Sequence, residues 1–196
     1  MRKLTMAELG RKTVEECRQA EKLPVVVVLD QVRSMYNVGS VFRTADAFQI
    51  QALWLCGYTP TPPHRDIHKT ALGATETVSW QHDPDTPAAV GRLKAEGYAV
   101  WAVEQAEGSR YLHDFEPDFS RPIALVFGNE MDGVQQAVLD RVDGCIEIPQ
   151  FGMKHSLNIA VSVGVVLWDV LVKYMRSPQG RLSAFDLSAH RYLKGI

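Results

Sequence analysis

The stretch "PVVVVLD", residues 24–30, narrows the possible folds more than any other part of the chain. Four consecutive valines are stiff at χ1 and favour extended backbone over helix. With no polar residue at alternate positions, neither face of the strand suits water, so the run predicts a strand buried on both sides. Strands of that kind belong to parallel sheets covered by helices on both faces. The segments that follow agree. "NVGSVFRTADAFQI" (37–50) sets Val38, Val41, Phe42, Ala45 and Phe48 at helical spacing. "ALWLCG" (52–57) predicts a second strand, and the proline-rich "YTPTPPHRDIHK" (58–69) predicts a loop. A helix near 86–96 precedes the strand-like runs "YAVWAVE" (98–104) and "IALVFG" (123–128). "VQQAVLDRV" (134–142) reads as helix, "GCIEIP" (144–149) as strand, and 157–174 as a last helix. Strands alternating with helices imply an α/β fold, a mainly parallel sheet flanked by helices.

Residues 5–22 ahead of the first strand are polar with helical spacing, and Thr5 with Glu8 has the form of a capping box. We divide the chain into an N-terminal helical extension (1–23), a main domain (24–175) and a basic C-terminal tail (176–196). Three scattered cysteines, Cys17, Cys56 and Cys145, offer no CxxC and no disulfide framework, which fits reduced thiols in a cytoplasmic protein. The first residues lack the apolar core of a signal peptide. Ser162 and Gly164 interrupt the most apolar segment, 159–168, which is too short to span a bilayer. We therefore expect no membrane partner. The net charge of −2 hides an asymmetry: residues 82–147 carry thirteen acids and five bases, residues 148–196 six bases and two acids. The ends are basic relative to the middle, which permits a local face for an anionic ligand.

Open parallel sheets bind ligands beyond the carboxyl ends of their strands. Three loops with glycine and polar residues lie there: "RSMYNVGSVFRTADA" after strand 25–29, "FGNEMDGV" after strand 123–127, and "QFGMKHSLN" after strand 144–148. The last leads into a helix that is apolar nearly all round, apart from a thin stripe of Asn158, Ser162 and Asp169. Such a helix suits burial on nearly every side, and Val163 and Val166 are the positions expected at any contact with a second copy of the chain. Ser156, at the mouth of that helix, is a candidate cap or anion holder. Several other chemistries find no support. GxGxxG is absent. Gly128 and Gly133 have Walker A spacing, but Val134-Gln135 stands where Lys-Ser/Thr is needed. "HRD" at 64–66 is followed by Ala71 where a kinase catalytic loop has Asn. His64 and His68 are four apart, but the preceding prolines weaken a helical metal site. No metal is expected.

Taken together, the motifs N-x-G-x-x-x-R (Asn37, Gly39, Arg43), F-G-N-E-x-x-G (Gly128, Asn129, Glu130, Gly133) and I-P-x-x-G-x-x-x-S-L-N (Ile148, Pro149, Gly152, Ser156, Leu157, Asn158) resemble the SpoU/TrmH-type RNA 2′-O-ribose methyltransferases of the SPOUT superfamily. The resemblance runs from about residue 24 to 175. It implies S-adenosylmethionine as donor, a homodimer, and a C-terminal trefoil knot, which periodicity does not predict and general topology rules disfavour. It also implies catalytic roles for Arg43, Asn37, Glu130, Ser156 and Asn158. Gly128, Ile148, Gly152, Ser156 and Leu157 are the implied cofactor contacts. Arg33, Arg65, Lys69 and Lys154, with His64 and His68 nearby, are candidate phosphate contacts on tRNA or rRNA.

A guanidinium holds its proton too tightly to make a good general base at Arg43. Donating hydrogen bonds to a developing alkoxide is its cheaper role, although the sequence leaves both open. Arg43 and Asp46 also form an i,i+3 pair. Glu130 would orient Arg43, or complement the helix at 134; Asn37 would serve the site, cap a helix, or both. Two other readings stay open: a SPOUT enzyme methylating an RNA base, and a non-catalytic RNA-binding module of the same fold.

Overall fold

A computed structural model describes residues 1–5, 8, 10 and 12–180. Along these residues the chain forms α1 (Val14–Gln19), β1 (Leu23–Asp30), α2 (Met35–Ala47), β2 (Ile50–Cys56), α3 (Arg65–Ala71), α4 (Ala74–Thr77) and β3 (Trp80–Asp83). There follow α5 (Thr86–Ala95), β4 (Ala99–Val103), β5 (Arg110–Tyr111), β6 (Ile123–Phe127), α6 (Gln136–Leu139), β7 (Gly144–Glu147) and α7 (Ile159–Arg176). Among the described residues the strands make one seven-stranded sheet in the order β3-β2-β1-β6-β4-β7-β5, and every pairing is parallel.

The valine run behaves as its composition demands. Val25, Val27 and Leu29 point into a layer with Val38, Phe42 and Ala45 of α2 and Val163, Val166 and Leu167 of α7. Val26 and Val28 point into the opposite layer, against Ala89, Val90 and Leu93 of α5 and Val138 of α6. Helices on both faces explain why β1 can be apolar at every position.

The strand order carries the non-local information. β6 inserts between β1 and β4, while β7 lies beyond β4 and pairs with β5, which the chain visits on its way from β4 to β6. From β7 the chain returns to the other half of the molecule, where α7 packs on α2 and Gly164 sits opposite Thr44. This path is consistent with the C-terminal knot.

Several local expectations change. Among the described residues the N-terminal helix is Val14–Gln19, and its capping box is Thr13 with Glu16. Thr5 and Glu8 do bond, through the Thr5 N–H and hydroxyl, with Arg2 completing the group. The segment 58–69 is loop only through its prolines: α3 begins at Arg65, and His64 caps it by accepting from the Asp66 N–H at 3.2 Å. The helix expected over 134–142 is the single turn of α6. β3, sequence "WQHD", lacks any apolar pattern and forms because β2 offers it a free edge. Val163 and Val166 are fully buried in the chain's own core, so they are not contact positions for a second copy. The exposed stripe of α7 is Val161 (52%), Val165 (40%) and Trp168 (58%), continued by Leu157 (41%) just before the helix. Residues 181–196, most of the expected basic tail, lie outside the described residues. Among the described residues no helix is long and apolar enough to cross a membrane.

Gly39 allows the closest helix contact. A Cβ there would lie 2.1 Å from Thr70 Oγ1 and 2.3 Å from the Ile67 carbonyl oxygen, so any larger residue would push α3 off α2. This contact seats α3 beside the loop that leaves β1.

Candidate active site

The loops after β1, β6 and β7 converge at the carboxyl edge of the sheet, as an open parallel sheet leads one to expect. The last two, with the loop after β4, enclose a cavity of about 620 Å³. Its wall is formed by Gly128, Asn129, Glu130, Ile148, Ser156, Leu157 and Asn158, together with Val103, Glu104 and Gln105.

Three side chains, one from each motif, join the loops. Asn158 Nδ2 donates to Asn37 Oδ1 at 3.2 Å, and Asn37 Nδ2 donates to Glu130 Oε1 at 2.7 Å. The caps differ from those expected. Ser34, not Asn37, caps α2, its hydroxyl accepting from the Asn37 N–H, while Asn37 turns its amide toward Glu130. Asn158, not Ser156, caps α7 through the Ala160 N–H at 2.9 Å, and its amide nitrogen is left free to hold Asn37. Ser156 lines the cavity instead.

Burial works to raise the pKa of the Glu130 carboxyl. Bonds from the Asn37 amide and from backbone N–H groups, including those of Arg33 and Ser34, outweigh it and hold the group below the usual glutamate range. Among the described residues of one chain, the side chain it bonds is that of Asn37.

Residues 128–133 form a tight hairpin. Asn129 and Gly133 exchange backbone hydrogen bonds at 3.1 Å, and Asn129 Oδ1 accepts from the N–H groups of Met131 and Asp132. A Cβ on Gly128 would fall 1.9 Å from the Gly133 carbonyl carbon, and Gly133 has φ 68°, so the two glycines of the motif are required by the turn. Two carboxylates that belong to none of the three motifs anchor its far end. Glu104, beyond β4, accepts from the Val134 N–H at 2.9 Å. Asp30, the buried last residue of β1, accepts from the Gln135 N–H at 2.9 Å, from Gln135 Nε2 at 2.5 Å and from Thr86 Oγ1 at 2.6 Å. An acid closing a valine strand is the signal in the sequence that points to Asp30, because a buried carboxylate must find donors.

Not every expected residue meets the cavity. Gly152 is not on its wall; residues 151–158 are exposed, Phe151 by 97% and Met153 by 85%. Arg43 is exposed and lines a separate groove of about 870 Å³ with Phe48, Leu72 and Trp168. It forms no ion pair with Asp46 among the described residues; Asp46 accepts from Thr77 Oγ1. Arg33, Arg65, Lys69 and Lys154 are all exposed, with Lys69 bridged to Asp66 at 2.8 Å.

The model of the SpoU rRNA Methylase family matches residues 24–168. The chain belongs to that family. It is 33% identical over 163 residues to the tRNA (guanosine(18)-2′-O)-methyltransferase of Thermus thermophilus, covering 83% of this chain and 81% of the relative. An AdoMet-bound rRNA methyltransferase from Sinorhizobium meliloti has a similar structure, with TM-score 0.69 and 29% identity over 78% of this chain and 56% of that one. A structure described under 2-OH methylation of C/U34 on tRNA is 26% identical, with TM-score 0.70, over 79% of this chain and 100% of that one. The SpoU family match ends within α7, so it spans all three motif loops.

The site of this SpoU-family chain suits a nucleoside-sized ligand. Its volume falls within the ~300–1,000 Å³ usual for small-molecule sites. Among the described residues, the N–H groups of Gln150, His155, Ser156 and Leu157, all on the cavity wall, form no hydrogen bond within the protein and so remain available to a ligand.

Proposed function

We propose that this SpoU-family protein transfers a methyl group from S-adenosylmethionine to a ribose 2′-OH of tRNA or rRNA, working in the cytoplasm as a homodimer. The observation that carries the reading is the Asn158–Asn37–Glu130 chain, which ties the three motif loops together at the rim of a nucleoside-sized cavity. The relatives named as tRNA and rRNA methyltransferases support the reaction class. The catalytic unit is residues 24–175, with 1–23 an extension and 176–196 a basic tail that adds phosphate contacts.

When bound, S-adenosylmethionine supplies a methyl group already activated on a sulfonium. The protein's task is then alignment, together with care of the proton and charge on the attacking oxygen. Gly128, Ile148 and Leu157 line the donor site, and Gly152 gives the loop over it freedom to close. Ser156 and Asn158 hold the approach of the ribose, and Asn37 is kept in one orientation between Asn158 and Glu130. Arg43 donates hydrogen bonds to the developing 2′-alkoxide, a role that suits the fixed fork of donors on a guanidinium.

Because Arg43 lies outside the cavity of its own chain, it serves the cavity of the partner protomer. The exposed stripe Leu157, Val161, Val165 and Trp168, beside the Arg43 groove, is the apolar face that a second copy covers. Arg33, Arg65, Lys69 and Lys154 meet RNA phosphates.

Calorimetry with S-adenosylmethionine in chelator, beside mapping of 2′-O-methyl groups in RNA from cells with and without the gene, tests the proposal. We expect metal-independent binding and the loss of at least one methyl mark without the gene. Strict dependence on added Mg²⁺, or an unchanged map, overturns it.

A further inference from the structure

We infer that Tyr36 is a stacking platform for an unpaired nucleobase beside the reacting ribose, so that the substrate of this site is an RNA loop and not a duplex. The inference rests on the proposed ribose methyl transfer and adds to it a substrate shape and the residue that selects it.

Tyr36 immediately precedes Asn37, the central member of the side-chain chain at the cavity rim. Half of its surface (50%) is exposed, yet the residue is held at both ends. Its carbonyl accepts from Ser40 Oγ at 2.8 Å and from Thr70 Oγ1 at 2.9 Å, the second contact being possible only because Gly39 brings α3 so close. Its hydroxyl lies 3.4 Å from both Asp66 Oδ1, to which it donates, and Lys69 Nζ, from which it accepts. The same ammonium sits 5.6 Å from the ring centroid and 2.8 Å from Asp66. The residue is thus fixed by three side chains of α3 while part of its ring faces solvent. A single exposed aromatic is ordinary on a protein surface. One held in place on the residue next to Asn37, with Lys69 against its ring and Arg65 opening the same helix α3, has the composition of a single-stranded nucleic-acid site.

The physics separates loop from duplex. In a paired helix each base is already stacked on its neighbours, and its 2′-OH is reached across the shallow groove without unstacking. Nothing in such a substrate would use a fixed aromatic ring. An unpaired nucleotide must place its base somewhere when its ribose enters the site, and an aromatic face accepts any base. Lys69 and Arg65 on α3 can meanwhile hold the flanking phosphates.

Two measurements test this. Methyl transfer is followed on unmodified RNA from cells lacking the gene, with wild type, Tyr36→Phe and Tyr36→Leu. Stacking is read separately from 2-aminopurine fluorescence in the loop of a hairpin RNA, with a fully paired duplex as comparison. We expect Tyr36→Leu to raise the KM for RNA roughly 5- to 150-fold, the range set by loss of one base–aromatic stack. It should leave S-adenosylmethionine affinity and melting temperature unchanged. Tyr36→Phe, which keeps the ring, should restore most of the RNA affinity. Wild type and Tyr36→Phe should quench the loop fluorophore, and Tyr36→Leu should not. Unchanged KM and retained quenching in Tyr36→Leu, or duplex bound as tightly as hairpin, would overturn the inference. A wild-type protein that binds no S-adenosylmethionine and methylates no RNA would instead refute the proposed function, since the quenching experiment does not depend on transfer.

Discussion

Replacing Asp30 by alanine is the sharpest test of how this fold supports its site. Asp30 is fully buried at the end of β1 and takes three hydrogen bonds, one from Thr86 of α5 and two from Gln135 behind the 128–133 hairpin. A hydrogen bond to a carboxylate contributes ~1.5–3 kcal/mol, so three added independently would give ~4.5–9 kcal/mol. They do not add, because two come from one residue and all share one acceptor group. The variant is also relieved of a buried carboxylate, and the half-buried Gln135 can find water, whereas the Thr86 hydroxyl, 1% exposed, cannot. What remains is the penalty of stranding neutral donors, ~1–3 kcal/mol for each of Thr86 and Gln135 and so ~2–6 kcal/mol together. At ~2–4 °C per kcal/mol for a domain of this size, Asp30→Ala should melt ~4–24 °C below wild type. The hairpin's own turn bonds stay intact, so the loss should reach the site as a looser loop and a higher Kd for S-adenosylmethionine. Asp30→Asn keeps one acceptor but turns an NH₂ toward donors, and should fall between the two. Calorimetric melting with donor titration on the three proteins checks this. A melting temperature for Asp30→Ala within about 2 °C of wild type would refute the claim that this carboxylate holds the loop.

Arg43→Ala should abolish methyl transfer while leaving S-adenosylmethionine binding largely intact, because Arg43 is not on the cavity wall; tritium transfer beside calorimetry decides it. Val161→Glu should give a folded protein of half the wild-type mass in light scattering. Val163→Glu, which forces a charge into a fully buried position, should instead unfold the chain. Glu130 is held below the usual glutamate range, so its contribution to stability is complete above the unfolded value of about 4.3 and disappears as pH falls through the lower folded value. The melting difference between wild type and Glu130→Gln should therefore be constant above about pH 5.5 and shrink in more acid solution. A gap that widened on acidification would reverse the assigned sign.

Whatever depends on neighbours along the chain is legible in the sequence alone. β-branched runs set β1 and β6, the 3.6-residue spacing sets α2, and the three motif loops fall where those elements end. The turn of residues 128–133 is legible for the same reason: two glycines and an Asn at fixed offsets serve contacts within six residues. Partner choice across the chain is not. Nothing local in "IALVF" places β6 between β1 and β4, because every face of a buried parallel strand is apolar and any neighbour would satisfy it. α7 shows the same limit. Its apolar residues run almost all round, so periodicity carries no phase, and only packing against β1 and α2 turns Val163 and Val166 inward and leaves Val161 and Val165 outside. The site follows suit. Asn37, Glu130 and Asn158 are each visible in their motifs, but the bond that joins Glu130 to Asn37 spans 93 residues in sequence. Hydrogen bonds reach only about 3 Å, and which groups come within that reach is decided by the strand order.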